Sequence, residues 1–329
     1  MAKFILTLFV VGAAVGGVWF FLNYEIQTEQ QNGQTVGWHI IPRKPAAEGA
    51  GPGGTSSPLA PQPPTAIRVA SFHLGRFDEA KLANRQVVDV LMRLLPRFDL
   101  VAVQGVRGRN QGVLVRLVEQ LNAATGRNYS FATCPTQQRD ALEHYNAFLF
   151  DTGRIDCDRQ TVRFVEDRQG RLRIKPLVGA FRVHGPDSGQ AFTFILINVE
   201  TDPDQTAAEL EVLAEAYRAV RKHYPNEDDI ILLGDLQSDD QHLGGLGQLL
   251  GVTPLLSNMP TTTRGGQLLD NILLDRRATC EFTGRVEVVD LMREFELTMA
   301  GAMEVSEHLP IWAEFSAYET IQPGQGGAN

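Results

Sequence analysis

The sequence predicts an α/β protein in which two packed β-sheets carry helices on their outer faces, behind one membrane-spanning helix and a Pro/Gly-rich linker. Three observations lead to that fold class. Between residues 66 and 318, short apolar β-branched runs alternate with amphipathic stretches of helical period. The middle of that region is strand-rich, with helices on either side of it. The chain has 329 residues, of which 43% are hydrophobic and 21% charged, enough for one large domain or two ordinary ones.

The N-terminal element comes first. Residues 4–22 (FILTLFVVGAAVGGVWFFL) carry no charge and are flanked by Lys3 and Glu25. About 20 apolar residues suffice to cross a bilayer core, and the basic flank predicts a cytoplasmic N-terminus with the remainder exported. A cleaved signal peptide is the rival, but the small residues Gly12 to Gly17 lie mid-run and bulky aromatics follow them. Residues 1–24 are therefore read as a membrane anchor. Residues 25–65 form a polar segment that becomes a Pro/Gly/Ala/Ser tether, and residues 319–329 a disordered tail.

Within 66–318, strands are expected at 67–73, 99–104, 145–150, 161–166, 172–183, 191–199, 230–233 and 311–315. Helices are expected at 79–95, 111–124 and 206–224, the last with apolar positions Leu210, Leu213, Tyr217 and Val220. Cys134, Cys157 and Cys280 stand apart without zinc spacing and read as separate small hydrophobes; a Cys134–Cys157 disulfide is the alternative. With 39 acidic and 30 basic side chains, the net charge of -9 argues against electrostatic, sequence-independent nucleic-acid binding. An enzyme that cleaves nucleic acid through a bound cation stays open, because the ion supplies positive charge.

In α/β folds the loops beyond the strand ends usually hold the site. Several apolar runs here adjoin a carboxylate, amide or imidazole: His73, Gln104 to Arg107, Glu200 to Asp202, Asp235 to Asp239, Asp270-Asn271, and Glu307-His308. One such cluster is usually a turn or a cap. Six in one domain point to a shared metal or acid/base site, and Asp235, Gln237, Asp270 and Glu307 have the oxygen chemistry of Mg2+ ligands. His39, His144, His184, His223 and His242 lack partners in sequence and read as solvent-facing. No GxSxG or SxxK motif supports a serine hydrolase.

Seven motifs carry a resemblance: IRVASFH (67–73), DLVAVQGVR (99–107), EHYNAFLF (143–150), FILINVETDPD (194–204), ILLGDLQSD (231–239), LLDNILLD (268–275) and SEHLPIWAEF (306–315). In order and spacing the chain resembles the endonuclease/exonuclease/phosphatase superfamily, which includes deoxyribonuclease I. The resemblance implies a four-layer αββα sandwich with its site at one end of the sheets, and hydrolysis of phosphoesters with Mg2+ or Mn2+. It implies that Arg107, Glu143, Asp235, Asp270 and His308 occupy functional positions. Asp270 would orient His308, Asp235 would position water or phosphate, and Arg107, Gln237 and Asn271 would face substrate.

Five positions depart from that pattern. The superfamily has Asn where His73 stands, the metal-ligating Glu where Gly105 stands, His at Glu200, Asn at Gln237 and Asp at Glu307. Two outcomes follow from these changes. In one, His73 replaces a lost imidazole, and Glu200 or Glu307 supplies the missing metal carboxylate. In the other, the domain is a silent binding module on the extracytoplasmic face of the membrane. The departures predict impaired hydrolysis; DNA, RNA, a phospholipid headgroup and an inositol phosphate all remain open as substrates.

Overall fold

The computed structural model describes residues 24–31, 34–42, 65–108, 111–134, 143–187 and 189–319. The predicted membrane helix at 4–22, most of the predicted tether and the tail from 320 lie outside the described residues. Among the described residues, no helix is long and apolar enough to cross a membrane. The chain divides into two units, 1–60 and 61–329.

In the first unit, β1 (Tyr24–Gln31) pairs antiparallel with β2 (Gln34–Pro42), placing Tyr24 opposite Pro42 and Gln31 opposite Gln34. The predicted polar segment is thus a hairpin. Its sequence signals are alternation through Ile26 and Thr28, then Val36, Trp38 and Ile40, with Asn32-Gly33 between the runs.

The second unit contains two six-stranded sheets. The first runs in the order β13 (Phe282–Val288), β14 (Ile311–Ser316), β3 (Ala66–Phe77), β4 (Leu100–Gly108), β6 (Glu143–Asp151), β5 (Tyr129–Ala132). The second runs β11 (Val252–Pro254), β12 (Asp270–Asp275), β10 (Ile230–Asp235), β9 (Thr193–Glu200), β8 (Leu177–Val183), β7 (Ile155–Phe164). Strand alternation decides the layers. Ile67, Leu100, Phe148, Leu196, Ile231, Ile272 and Ala313 fill the space between the sheets, and their odd-numbered or even-numbered neighbours face outward. One outer face packs on α1 (Glu79–Leu82), α2 (Arg85–Leu94), α3 (Gly112–Thr125), α6 (Leu291–Phe295) and α7 (Met299–Val305). The other packs on α4 (Thr206–His223) and α5 (Gly244–Gly247). The result is helix, sheet, sheet, helix.

The single helix expected at 79–95 is two. Asn84 breaks it because its side chain accepts the N–H groups of Gln86 and Val87 and starts α2 as an N-cap. Glu319, expected to open the disordered tail, is held instead: its N–H donates to the Gln190 carbonyl and its carboxylate accepts the Thr193 N–H. The three cysteines are free thiols, so the alternative disulfide does not form.

Candidate active site

The inter-sheet row that is apolar in the middle turns polar at one end. On β3 it runs Ile67, Val69, Ser71, His73; on β9, Phe194, Leu196, Asn198, Glu200; on β10, Ile231, Leu233, Asp235. Period-two geometry thereby delivers His73, Gln104, Glu200, Asp235 and Asp270 to one cleft. Asp235 and Glu200 are register neighbours on parallel strands. Gly234 permits that approach, since a Cβ there would lie 2.0 Å from the Val199 carbonyl oxygen.

Half of the cleft is a dyad with a second carboxylate beside it. His308 donates Nδ1–H to Asp270 Oδ2 at 2.8 Å, and its Nε2 faces Asp235 Oδ2 at 3.8 Å. Thr261 fixes the dyad. Its hydroxyl accepts the N–H groups of Leu269 and Asp270, so its own proton goes to Asp270 Oδ2 at 2.8 Å. Asp235 is oriented by Gln237, whose N–H reaches Oδ1 at 3.0 Å and whose side-chain amide reaches Oδ2 at 2.8 Å. Gln237 takes φ 48° to do so, a left-handed conformation that Asn tolerates better than Gln.

The electrostatics follow from burial and proximity. Burial alone would lower the His308 pKa, but the charge and hydrogen bond of Asp270, with Asp235 behind them, raise it to about 9. Burial and then the Asp270 charge push the Asp235 carboxyl upward, with His308 opposing. His308 is therefore an imidazolium at neutral pH, a proton donor and anion binder aimed into the cleft.

The other half is organised around Glu200. Its carboxylate lies 3.3 Å from His73 Nε2 and 2.8 Å from His144 Nε2, and it accepts the Gly105 N–H at 3.1 Å. Burial would raise the Glu200 pKa, but the bonds from His144 and His73 prevail and hold it well below the usual carboxylate range. His73 Nδ1 accepts the Gly75 N–H at 3.1 Å, so the neutral ring carries its proton on Nε2 and donates it to Glu200. The two halves touch. The rings of His73 and His308 lie 4.5 Å apart, and Ser306 donates to the His73 carbonyl while accepting the His308 N–H.

Beneath the cleft, Asn198 donates from Nδ2 to the carbonyls of Val103 and Ala147, and Gln104 Nε2 donates to Asn198 Oδ1 and Ser71 Oγ. Beside Asp235 a cavity of about 530 Å³ opens, lined in part by Gln237, Asp239, Asp240, Asn258, Gln267 and Leu269.

No family model matches the chain. Deoxyribonuclease-1-like 1 of Sus scrofa is 28% identical over 272 residues, covering 78% of this chain and 84% of that protein. Deoxyribonuclease gamma of Rattus norvegicus is 22% identical over 270 residues, 74% of this chain and 83% of that one. An endonuclease/exonuclease/phosphatase family protein from Leptotrichia buccalis C-1013-b superposes with TM-score 0.56 at 14% identity, over 77% of this chain and all of that one. The chain is thus similar in sequence to deoxyribonuclease-1-like proteins and shares its fold with endonuclease/exonuclease/phosphatase family proteins.

Superfamily members are generally divalent-metal dependent, so the donor set decides how well this chain fits an ion. Asp235, Asp270 and His308 place ligand atoms within 4.8 Å of one another, but those atoms are largely committed to one another, to Thr261 and to Gln237. At the superfamily's glutamate position stands Gly105, with φ 79°, where a Cβ would lie 2.0 Å from the Gly75 carbonyl oxygen. Glu200, the expected replacement ligand, is taken up by two imidazoles and an N–H. Glu307, the other expected ligand, is exposed and acts on Lys81 and His308 only through its charge. The residues present do not fit the superfamily's cation position.

The remaining expectations divide. Arg107 lies opposite His144 on β4, half-buried, and its Nε has no hydrogen-bond partner among the described residues. Asn271, expected at the substrate, is spent on the backbone: Oδ1 accepts the Leu256 N–H and Nδ2 donates to the Leu256 carbonyl. Glu143 opens β6, and its side chain lies outside the described residues. The neighbouring His144, read as solvent-facing, is instead the residue that meets Glu200. The signal for it was its place in the EHYNAF motif opposite a carboxylate at 200. His184 and His242, read the same way, do face solvent, and there they pair with Asp156 and Asp239.

Proposed function

We propose that this chain is a membrane-anchored phosphodiester hydrolase of nuclease type whose hydrolytic half is assembled and whose cation half is replaced, so that its turnover is impaired. The observation that carries the reading is His308 held between Asp270 at 2.8 Å and Asp235 at 3.8 Å. In this reading the His308 imidazolium binds a phosphoryl oxygen and donates a proton to the leaving oxygen. Asp235, once ionised, takes the proton of an attacking water, and Asp270 keeps the imidazole in its productive tautomer. Residues 4–22 anchor the chain and the folded unit faces the extracytoplasmic side, where a phosphodiester such as nucleic acid is the substrate. The likeness to deoxyribonuclease-1-like proteins supports the substrate class, and Mg2+ or Mn2+ is the ion expected of the superfamily.

A second reading, a silent binding domain, is favoured by Glu200 filling the cleft between two imidazoles and by the closed backbone at Gly105. One experiment separates them. The full chain, in detergent, is given bis(p-nitrophenyl) phosphate or plasmid DNA with Mg2+, Mn2+ or EDTA, beside Asp235→Ala and His308→Ala. Turnover lost in both variants establishes the hydrolase; removing an acid/base alone costs about 10²–10⁴-fold. A folded protein no faster than its variants in every condition is a binding domain.

A further inference from the structure

At the end of the sandwich away from His308, Asp229, Glu281 and Glu319 bring carboxylate oxygens within 4.8 Å of one another. Asp229 immediately precedes β10, so six residues of extended chain, about 20 Å, separate it from Asp235. Asp229 and Glu281 are buried, at 1% and 3% exposure. Glu227 lies alongside: its Oε1 accepts the Asp229 N–H at 3.1 Å, and the Thr193 hydroxyl lies 2.7 Å from its Oε2 and 3.2 Å from Glu319 Oε1.

Clustered carboxylates alone are common, but two buried atoms here are aimed into the cluster without being satisfied. The Thr279 hydroxyl is turned toward the Asp229 carboxyl as its side-chain donor, but among the described residues neither Thr279 Oγ1 nor Asp229 Oδ1 has a partner at full hydrogen-bonding geometry. Thr279, like Asp229, is 1% exposed. The charges that act most strongly on Asp229 come from Glu281, Asp228 and Glu227, all negative. Without an ion, burial and then Glu281 push the Asp229 carboxyl up to about 9. Buried carboxylates are ordinarily paired or bound to a metal, and among the described residues no lysine, arginine or histidine forms an ion pair with Asp229.

We infer that Asp229, Glu281 and Glu319 form a Ca2+ site. Every donor is a hard oxygen, which selects Ca2+ or Mg2+ over transition metals. A carboxylate cage with a hydroxyl and nearby main chain suits the flexible six to eight oxygens of Ca2+; Mg2+ usually keeps its waters and avoids dedicated all-protein cages. The ion would join Asp229 of the second sheet, Glu281 at the entry to β13 of the first sheet, and Glu319 beyond β14. It would thus clamp both sheets at the end opposite the cleft.

The test is calorimetric titration of the full chain with CaCl2, together with Tm in Ca2+ and in EDTA. The expected result is saturable binding with a Ca2+-dependent rise in Tm, retained by Asp235→Asn. Asp229→Asn and the half-buried Glu319→Gln should each weaken binding roughly tenfold or more, since even outer-shell changes cost about 10–100-fold. Glu319→Gln keeps the test decisive if Asp229→Asn fails to fold. A wild-type chain without a Ca2+ response, or an equal response in wild type and both variants, overturns the inference. The cluster would then be a set of shared-proton carboxyl groups.

Discussion

Gly105 governs what the cleft can hold. Its φ of 79° and the 2.0 Å separation between an added Cβ and the Gly75 carbonyl oxygen leave no room for a side chain. The carboxylate near this place comes instead from Glu200, which accepts the Gly105 N–H. Reinstating the superfamily's residue is therefore not a one-step repair. Gly105→Ala is expected to destabilise the fold by about 1–3 kcal/mol or more, from left-handed strain and the clash together. Gly105→Glu is expected to lower Tm further without creating Mg2+-dependent turnover. Urea unfolding of the two variants checks this, and an unchanged midpoint for Gly105→Ala would show that the 75–105 contact is not rigid. The sequence announced the missing ligand at 105. It did not announce that the Gly75 backbone occupies the space, because the register shift between His73 and Phe77 has no residue signature in this chain.

At the scale of elements, the strands that were legible are those buried on both faces: 67–73, 99–104, 191–199 and 230–233 stand out as apolar runs, since both faces pack. Edge strands were not legible. β13 (FTGRVEV) and β5 (YSFA) are short, half-exposed and broken by polar residues, so pairing rather than composition defines them. The polar rung under the cleft was legible only as stray amides. In the fold, Asn198 of β9 crosses to the other sheet and satisfies the carbonyls of Val103 and Ala147, which face each other just before the register slips on β4 and β6. A bulge leaves such groups without ladder partners, and an amide from the opposite sheet replaces them. Asn198→Leu should then cost on the order of 1–3 kcal/mol for each buried group left unpaired. Denaturant unfolding measures it; a loss below about 1 kcal/mol would mean that water fills the rung.

At the scale of the whole folded unit, an apolar inter-sheet core separates two polar ends, the cleft around His308 and the carboxylate cluster around Asp229. Both ends carry groups whose protonated forms the fold favours: His308 is raised to about 9, Asp229 to about 9, and Asp235 is raised as well. The sign is the same for all three. Between its unfolded and folded pKa values each group binds more protons when folded, so stability falls as pH rises through that window. For His308 the contribution is complete below about 6.5 and gone above about 9, on the order of 3 kcal/mol in all. For Asp229 the decline begins near pH 4, where the unfolded carboxyl ionises, and continues to about 9. Glu200 works in the opposite sense. Its lowered pKa adds stability above roughly pH 4.3, and that contribution is lost only in strong acid. In EDTA, Tm should therefore peak in mild acid and decline steadily to pH 9. His308→Gln should flatten the decline above pH 6.5, and Asp229→Asn should flatten it from pH 4 upward. A Tm that rises between pH 6 and 9 in EDTA would show that neither end holds its protons. The charges at the cleft and at the cluster would then be compensated from outside the described residues.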